Sequence, residues 1–316
     1  MKALTFSQFG GPEVLTYSEV PEPFLKEGEV LVEMKAIGLS YADVYRRQGA
    51  YHLTGQPPYI NGYEGAGVIV DTNGVNDIYT GDRVAFTDVP FSNAELVAVP
   101  HEHLIPLPDS ISFETAASSL LQGLTAQYLT SDSYTIRVDE TVLIHACAGG
   151  VGQLLVQICK AKDAHVIGIT SSAEKRSVAI EMGADEVFLY DEDWVSSLKA
   201  KNIGVVYDSV GSTLLKSLEV VREGGAVVFF GFAGGMPPSI DPRLLMDGSK
   251  ALIGGDLWTY LNSKEERLIR SAGLFDWIEG GIISVTPSAT YALEDGAEAH
   301  RFLESRKSTG KIILIP

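Results

Sequence analysis

Residues 140–161 read ETVLIHACAGGVGQLLVQICKA, and this segment decides the fold of the chain. An apolar run leads into a turn of small residues, after which apolar residues recur with helical spacing. Cys147, Gly149 and Gly152 occupy the three glycine positions of the dinucleotide fingerprint G-x-G-x-x-G, so a cysteine replaces the first glycine. Such a turn lets the backbone approach a pyrophosphate and places free helix N–H groups against the anion. The segment predicts a dinucleotide site whose phosphate contacts are Gly149, Gly150, Val151 and Gly152.

The rest of the chain from about residue 120 alternates short apolar strands with helical segments. The strands are ETVLIHA, HVIGIT, EVFLY, VVYDSV and AVVFFGF. This alternation predicts parallel βαβ units in a doubly wound α/β sheet. Before it, runs such as EVLVEMKAIGL and GAGVIV are rich in β-formers and are separated by turn residues. The C-terminal tail shows one helix and a last strand, and we expect it to return to this first, β-rich domain.

Composition excludes several classes of protein. The 316 residues carry 41 acidic and 24 basic side chains, a formal charge of −17 that opposes binding to nucleic acids and anionic membranes. No apolar run approaches the ~18 residues of a membrane span, and the N-terminus lacks the apolar core of a signal peptide. The only two cysteines, Cys147 and Cys159, are interpreted as reduced thiols, with Cys147 in a packing role. A cytoplasmic protein is therefore expected.

The end of the second strand of the α/β region predicts the type of dinucleotide. An NAD site usually places an acidic residue there to bind the ribose 2′-hydroxyl. This chain has Thr170 and Ser171 at that point, followed by Lys175 and Arg176. Hydroxyls and cations suit a 2′-phosphate, which favours NADPH, although the two cations could equally form a solvated helix face. Glu174 is expected in the first turn of the next helix, where the helix dipole stabilises its charge.

Nine motifs are spread over nearly the whole chain: FGGPEVL, AIGLSYADVYRRQGAY, GYEGAGVI, GDRVA, LPDSISFETAAS, GLTA, HACAGGVG, VVYDSVG and ESRKSTGKIILIP. In their order and spacing they resemble the zinc-free quinone oxidoreductases, the zeta-crystallin-like branch of the medium-chain dehydrogenase/reductase superfamily. The resemblance implies a partly barrel-like, GroES-like catalytic domain formed by residues 1–119 and 262–316. It also implies a Rossmann domain over residues 120–261, inserted between those two parts, and a homodimer.

The resemblance also assigns roles to individual residues. Three of them are placed near the adenosine 2′-phosphate: Lys175, Tyr190 and Arg306. Two are placed near the nicotinamide and its ribose: Thr125 and Phe232. Four are placed on the pocket wall opposite the nicotinamide: Ser40, Asp43, Tyr45 and Tyr51. Many relatives carry asparagine at the position of Ser40, so the polar contact there is expected to be shorter or to run through water.

The ligand positions of the zinc-dependent relatives predict a reaction without metal. Their Gly-His-Glu is Gly62-Tyr63-Glu64 here, and Gln122 stands where a ligand cysteine is expected. Two cysteines cannot supply a four-cysteine lobe, so no zinc is predicted. His101 and His103 could face one way on an extended segment, but they are interpreted as a surface pair.

Without a Lewis acid, oxidation of a simple alcohol is difficult, whereas electron-poor acceptors take hydride readily. Tyr45 and Tyr51 could donate to the acceptor oxygen or simply pack in the barrel, and Asp43 could orient a tyrosine or pair with Arg46 or Arg47. The sequence thus predicts an NADPH-dependent reductase of quinones. The alternatives are a reductase of enones, 2-alkenals or enoyl thioesters, and a non-enzymatic NADPH-binding regulatory or RNA-binding protein; the acidic charge argues against RNA.

Overall fold

Three β-sheets organise the chain, whose residues 1–316 are all described by the computed structural model. The residues divide into two units. The first contains Met1–Leu121, Leu261–Gly280 and Ser284–Pro316, and the second contains Gln122–Tyr260 and Gly281–Ile283. None of the helices is both long and apolar enough to cross a membrane.

The second unit is built on a six-stranded parallel sheet. Its strands are β9 (Thr141–His145), β10 (His165–Thr170), β11 (Glu186–Leu189), β12 (Ile203–Asp208), β13 (Val221–Phe229) and β14 (Ala251–Gly254). They lie in the order β11-β10-β9-β12-β13-β14, the doubly wound order with its switch point between β9 and β12. The central strands β9, β10 and β12 are almost entirely buried and mainly apolar, as expected for the middle of a sheet covered on both faces, whereas the edge strands β11 and β14 are partly exposed. The predicted α/β fold class is confirmed.

Helices connect these strands. They are α3 (Gly150–Ala161), α4 (Ala173–Glu181), α5 (Trp194–Leu198), α6 (Leu214–Val220) and α7 (Arg243–Met246). Their apolar side chains complete a core with the sheet that includes Leu143, Ile167 and Val206. Because the strands run parallel, the chain leaves all of them at one edge of the sheet, and the loops that precede the helices gather there.

The first unit is rich in β-structure. Its strands are β1 (Lys2–Phe6), β2 (Thr16–Glu19), β3 (Glu29–Leu39), β4 (Tyr59–Ile60), β5 (Glu64–Asp71), β6 (Arg83–Thr87), β7 (Leu96–Pro100), β8 (Ile105–Pro106), β15 (Ala289–Ala292) and β16 (Ile312–Ile315). A small sheet has the order β2-β1-β4, and a larger one has the order β15-β16-β3-β5-β6-β8, with β7 also on β3. The C-terminal strand β16 pairs with β3 in antiparallel register, Ile312 opposite Leu39.

The helices of the first unit are short, except one. They are α1 (Tyr41–Arg47), α8 (Lys264–Glu279) and α9 (Gly296–Glu304), while α2 (Phe113–Tyr128) continues into the second unit. The segment of His101 and His103 is a 3-10 turn and not extended, and both side chains are half-buried, so the expected surface pair is only partly exposed. The N–H of Leu104 closes that turn on the carbonyl of His101 at 3.3 Å, and the N–H of His101 bonds to Gly28 at 2.9 Å.

Candidate functional site

The turn between β9 and α3 presents free amide groups. The first hydrogen bond inside α3 runs from the N–H of Gln153 to the carbonyl of Gly149 at 2.9 Å, so the amides of residues 150–152 have no partner one turn earlier in the helix. Gly149 is the N-cap and has no side chain that could cover them. The positive end of the helix dipole adds to these donors. The turn therefore has the chemistry of a phosphate site.

The three glycines of the turn differ in the space around them. A Cβ on Gly152 would lie 2.2 Å from the carbonyl oxygen of Ala146, which is a clash with backbone. A Cβ on Gly150 would lie 2.2 Å from Oε1 of Gln122, whereas one on Gly149 would meet its nearest atom at 3.1 Å. Gly152 thus brings the helix close to the strand. The backbone of Gly149 is uncovered, because a Cβ there would have only the carbonyl oxygen of Ala146 within 4 Å.

Cys147 packs against the neighbouring strand. It is fully buried, and a Cβ on Gly168 of β10 would lie 2.5 Å from its Sγ. The thiol therefore fills the space that glycine leaves on β10. Burial raises the pKa of Cys147 to about 12, so the thiol stays protonated and unreactive at neutral pH. Cys147 is a packing residue, as its sequence context indicated.

The end of β10 carries the predicted 2′-phosphate residues. Ser171 is exposed, and Ser172 caps α4 by accepting the N–H of Lys175 at 3.4 Å. Lys175 and Arg176 therefore stand in the first turn of α4. Arg176 donates to Glu192, whose other oxygen accepts the N–H of Leu189, so Arg176 serves to hold this loop.

The exposed Glu174 also lies in that first turn, as predicted. Its pKa is lowered by hydrogen bonds, first from its own backbone N–H and then from Ser172. The carboxylate is thus accounted for by the start of the helix.

Tyr190 follows β11 directly and reaches the glycine turn. Its hydroxyl oxygen accepts the N–H of Ala146 at 2.9 Å. Within the second unit, Phe232 follows β13 and lies over Gly211, while Thr125 is half-buried in α2. Arg306 is exposed in the first unit, with a left-handed φ of 59°. The roles of these four residues toward a nucleotide stay predictions.

In the first unit, Ser40 and Asp43 form a capping box at the start of α1. The backbone N–H of Ser40 donates to Oδ2 of Asp43 at 2.9 Å, and the Ser40 hydroxyl donates to the same oxygen at 3.3 Å. The other oxygen of Asp43 accepts from Arg46 at 3.2 Å. Of the two sequence interpretations of Asp43, the structure shows the ion pair. Ser40 and Asp43 therefore fix the conformation of the helix that carries Tyr45.

Arg46 was not among the predicted site residues. Its guanidinium is 1 % exposed and lies 3.5 Å from the ring centroid of Tyr63 and 5.1 Å from that of Tyr51. It also donates to the carbonyl of His52 at 3.2 Å. A buried cation thus holds the ring of Tyr51, which is half-buried, as is Tyr45. The only signal in the sequence was the pair Arg46-Arg47, because nothing local shows which aromatic rings would cover a guanidinium.

Comparison with known proteins first identifies the class. Residues 26–136 match the alcohol dehydrogenase GroES-like domain, and residues 150–270 match the zinc-binding dehydrogenase domain. This pair defines a medium-chain dehydrogenase/reductase with a GroES-like unit and a Rossmann unit, as the motifs indicated.

Full-length relatives then identify the family. The chain is 38% identical to a quinone oxidoreductase of Pseudomonas aeruginosa over 100% of its own length and 99% of the relative. It is 32% identical to a 2-haloacrylate reductase of a Burkholderia species, with 97% and 96% covered. The crystal structure of Escherichia coli quinone oxidoreductase complexed with NADPH matches with a TM-score of 0.95 at 37% identity, covering 100% of both chains. The chain belongs to the quinone oxidoreductase family.

Proposed function

We propose that this protein is an NADPH-dependent reductase that transfers hydride to quinones. The observation that carries the proposal is the turn between β9 and α3, with its glycines and free helix amides. β10, which leads into Ser171 and Lys175, pairs in parallel with β9 and ends at the same edge of the sheet. The full-length similarity to quinone oxidoreductases, one of them solved with NADPH, supports the same conclusion.

When bound, NADPH supplies the hydride, and the acceptor becomes a hydroquinone once a proton is added from solvent. We assign the pyrophosphate to the amides of Gly150, Val151 and Gly152 over the bare backbone of Gly149. The 2′-phosphate is assigned to Ser171 and Lys175. A lysine beside a phosphate forms a strong, charge-assisted hydrogen bond. The nicotinamide and its ribose are assigned to Thr125 and Phe232.

For the acceptor, Tyr45 and Tyr51 are the proposed hydrogen-bond donors to the oxygen that gains charge. Ser40 and Asp43 position them, because they cap α1 and hold Arg46. Arg46 places positive charge beside the ring of Tyr51, which strengthens the phenol as a donor.

An acceptor panel tests the proposal. With NADPH as the donor, turnover of a small quinone is expected to exceed turnover of a 2-alkenal and of 2-chloroacrylate, measured as kcat/KM. The haloacrylate belongs in the panel because one relative is a 2-haloacrylate reductase. A higher kcat/KM for either alkene than for the quinone would make the protein an enone or enoate reductase. Activity with NADH and none with NADPH would contradict the cofactor assignment.

We also propose that the reaction runs without metal. Tyr63, at the position of the ligand histidine in zinc-dependent relatives, is buried and donates its hydroxyl to Thr54 at 3.2 Å. Gln122, at the position of a ligand cysteine, packs on Gly150. Neither side chain offers the imidazole or thiolate that zinc prefers. Dialysis against a strong chelator is expected to leave turnover intact, and a zinc content near one per chain that tracks activity would contradict this.

A homodimer is proposed on the basis of one sheet edge. β14 is the last strand of the parallel sheet, so one side of its backbone is available for pairing. Three exposed apolar side chains precede it: Met236, Leu244 and Met246. Sedimentation should give twice the chain mass of 34.0 kDa, and a charge introduced by Met246→Lys should favour the monomer.

A cytoplasmic location is proposed from the two buried, unbridged thiols. Fractionation of the source cells tests it, and recovery from an oxidising compartment would contradict it.

A further inference from the structure

Asp208 anchors a buried group of donors at the switch point of the parallel sheet. The carboxylate is fully buried at the end of β12. Oδ1 accepts the backbone N–H groups of Val210 at 2.9 Å and Gly211 at 3.1 Å, and both oxygens accept the Thr213 hydroxyl, at 2.9 and 2.8 Å. Oδ2 also accepts the Ser217 hydroxyl at 2.7 Å. With this many donors the carboxylate is ionised and acts only as an acceptor.

His145, at the end of the neighbouring strand β9, continues the chain of hydrogen bonds. Its Nε2 lies 3.0 Å from Oγ of Ser217. The Ser217 hydroxyl donates to Asp208, with the Thr213 carbonyl as a second acceptor at 3.2 Å. The serine oxygen therefore accepts from the ring, and Nε2 carries the proton. Burial lowers the pKa of His145 and outweighs the opposing charge of Asp208, so the ring is neutral and Nδ1 is an acceptor.

Tyr190 connects this acceptor to the glycine turn. Its hydroxyl lies 3.4 Å from Nδ1 of His145, and the two rings stack with centroids 5.9 Å apart and planes 7° from parallel. The proton of Tyr190 therefore points to His145, and its oxygen accepts the N–H of Ala146 at 2.9 Å. The ring of Trp194 meets the imidazole in a T-shaped arrangement, with ring centroids 5.4 Å apart. All four side-chain hydrogen bonds run in one direction, from the turn to Asp208.

This series of hydrogen bonds ends at Ala146, where the backbone of the turn is strained. Ala146 has a φ of 50°, in the left-handed region that disfavours residues other than glycine. Its carbonyl accepts the N–H of Gly149 at 2.8 Å and is the atom that a Cβ on Gly152 would strike. The position of Ala146 thus sets the position of both fingerprint glycines.

We propose that Ser217 and His145 are positioning residues for cofactor binding, which act through Tyr190 to hold Ala146 and the phosphate turn in the binding geometry. The inference rests on the proposed function, since it requires a nucleotide in that turn. It gives Tyr190 a role that serves NADPH and NADH equally, because the turn meets the pyrophosphate that both share.

A double-mutant cycle tests the proposal. Dissociation constants for NADPH and NADH are measured calorimetrically for wild type, Ser217→Ala, Tyr190→Phe and the double variant. Loss of one internal hydrogen bond corresponds to a factor of about three to ten, and we expect Ser217→Ala to weaken both nucleotides by that factor. Tyr190→Phe keeps the ring stack and removes the hydroxyl, so the double variant should bind no more weakly than Tyr190→Phe alone. Thr130→Val is the control, because it removes another buried hydroxyl of the second unit that bonds only within its own helical segment.

The outcomes separate the two levels of the proposal. Wild-type protein that binds neither nucleotide contradicts the proposed function itself. If wild-type protein binds NADPH and the dissociation constant of Ser217→Ala is within twofold of the wild-type value, only the positioning role is contradicted. Multiplicative effects in the double variant would also overturn it, because independent structural damage gives additive free energies.

A second measurement needs no destabilising variant. The ¹⁵N shifts of the His145 ring in the NADPH complex, assigned by comparison with Tyr190→Phe, report its tautomer. We expect a protonated Nε2 and a bare Nδ1. A proton on Nδ1, or a charged ring at neutral pH, would break the direction of the chain and overturn the proposal.

Discussion

At the scale of a single residue, Lys175 is proposed to decide the choice between the two nucleotides. It stands in the first turn of α4, where the side chain and the helix dipole together favour a phosphate. Lys175→Ala should therefore weaken NADPH binding by ~1.5 to 3 kcal/mol, the range for a hydrogen bond to a charged group, and leave NADH nearly unchanged. Calorimetric titration with both nucleotides at fixed salt measures this.

Arg176→Ala is the matched control for Lys175, since the neighbouring guanidinium is engaged with Glu192. It should change NADPH affinity by much less than Lys175→Ala does. Equal losses of NADPH and NADH in the Lys175 variant would show that the 2′-phosphate lies elsewhere.

Tyr45 and Tyr51 are the residues proposed to act on the acceptor. Replacing either with phenylalanine keeps the ring and removes only the donor. Because quinones are strongly electrophilic, we expect a loss of about tenfold in kcat/KM, or ~1.4 kcal/mol, and a larger loss with an enone, whose enolate needs more stabilisation. Changes below twofold in both variants with both acceptors would restrict these tyrosines to shaping the pocket.

The sequence indicated the roles of Cys147 and Glu174 for different reasons. Glu174 lies in the first turn of the helix that explains it, whereas Cys147 packs on Gly168 of the neighbouring strand, and only its place in a tight turn of small residues favoured a packing role. Arg46 was missed because the folding of the chain brings the rings of Tyr51 and Tyr63 over its guanidinium, and no periodic pattern marks such a contact. His145 was missed because its partner is distant in sequence. His145 meets Ser217 across 72 residues, and only the pairing of β9 with β12 brings them together. Polar residues at the ends of strands that neighbour each other in the doubly wound order were the available signal.

At the scale of an element, the junction of β9 and α3 predicts different roles for its glycines. Gly152→Ala drives a Cβ into the carbonyl of Ala146, so the helix must move. A backbone shift of this kind costs roughly 1 to 3 kcal/mol, and we expect lower stability together with weaker NADPH binding. Gly149→Ala should weaken binding with little loss of stability, because its Cβ would lie mainly where the pyrophosphate approaches. Urea unfolding and nucleotide titration of both variants measure the two effects, and equal destabilisation would contradict the distinction.

Five of the six strands of the second unit were predicted, since central parallel strands give long apolar runs and helices give a clear period. The half-exposed edge strand β14 and the 3-10 turn of His101 and His103 were not predicted. Short turns depend on hydrogen bonds to other segments, here from His101 to Gly28, and those leave no periodic trace.

At the scale of the whole molecule, buried neutral histidines set the response to acid. His300 in α9 is fully buried, and burial, followed by the neighbouring Arg47, lowers its pKa from 6.5 to about 3. Below pH 6.5 the unfolded chain takes up a proton at this site and the folded chain does not, so stability falls as the pH decreases toward 3. Since one pKa unit corresponds to ~1.4 kcal/mol, this histidine alone should remove about 2 kcal/mol between pH 7 and pH 5.

In wild type, Nη1 of Arg47 lies 3.3 Å from Nδ1 of His300. His300→Asn isolates the contribution of the histidine, because the asparagine oxygen can replace Nδ1 as the acceptor for Arg47. The variant cannot take up the proton, so its unfolding free energy should fall less between pH 7 and pH 5, by about 2 kcal/mol, than that of wild type. His145 also has a lowered pKa and stays in both proteins, so an acid-sensitive slope remains in the variant. Urea unfolding at pH 7, 6 and 5 gives the comparison. Parallel pH profiles for the two proteins would mean that His300 already binds its proton in the folded state, with Arg47 displaced to accommodate it.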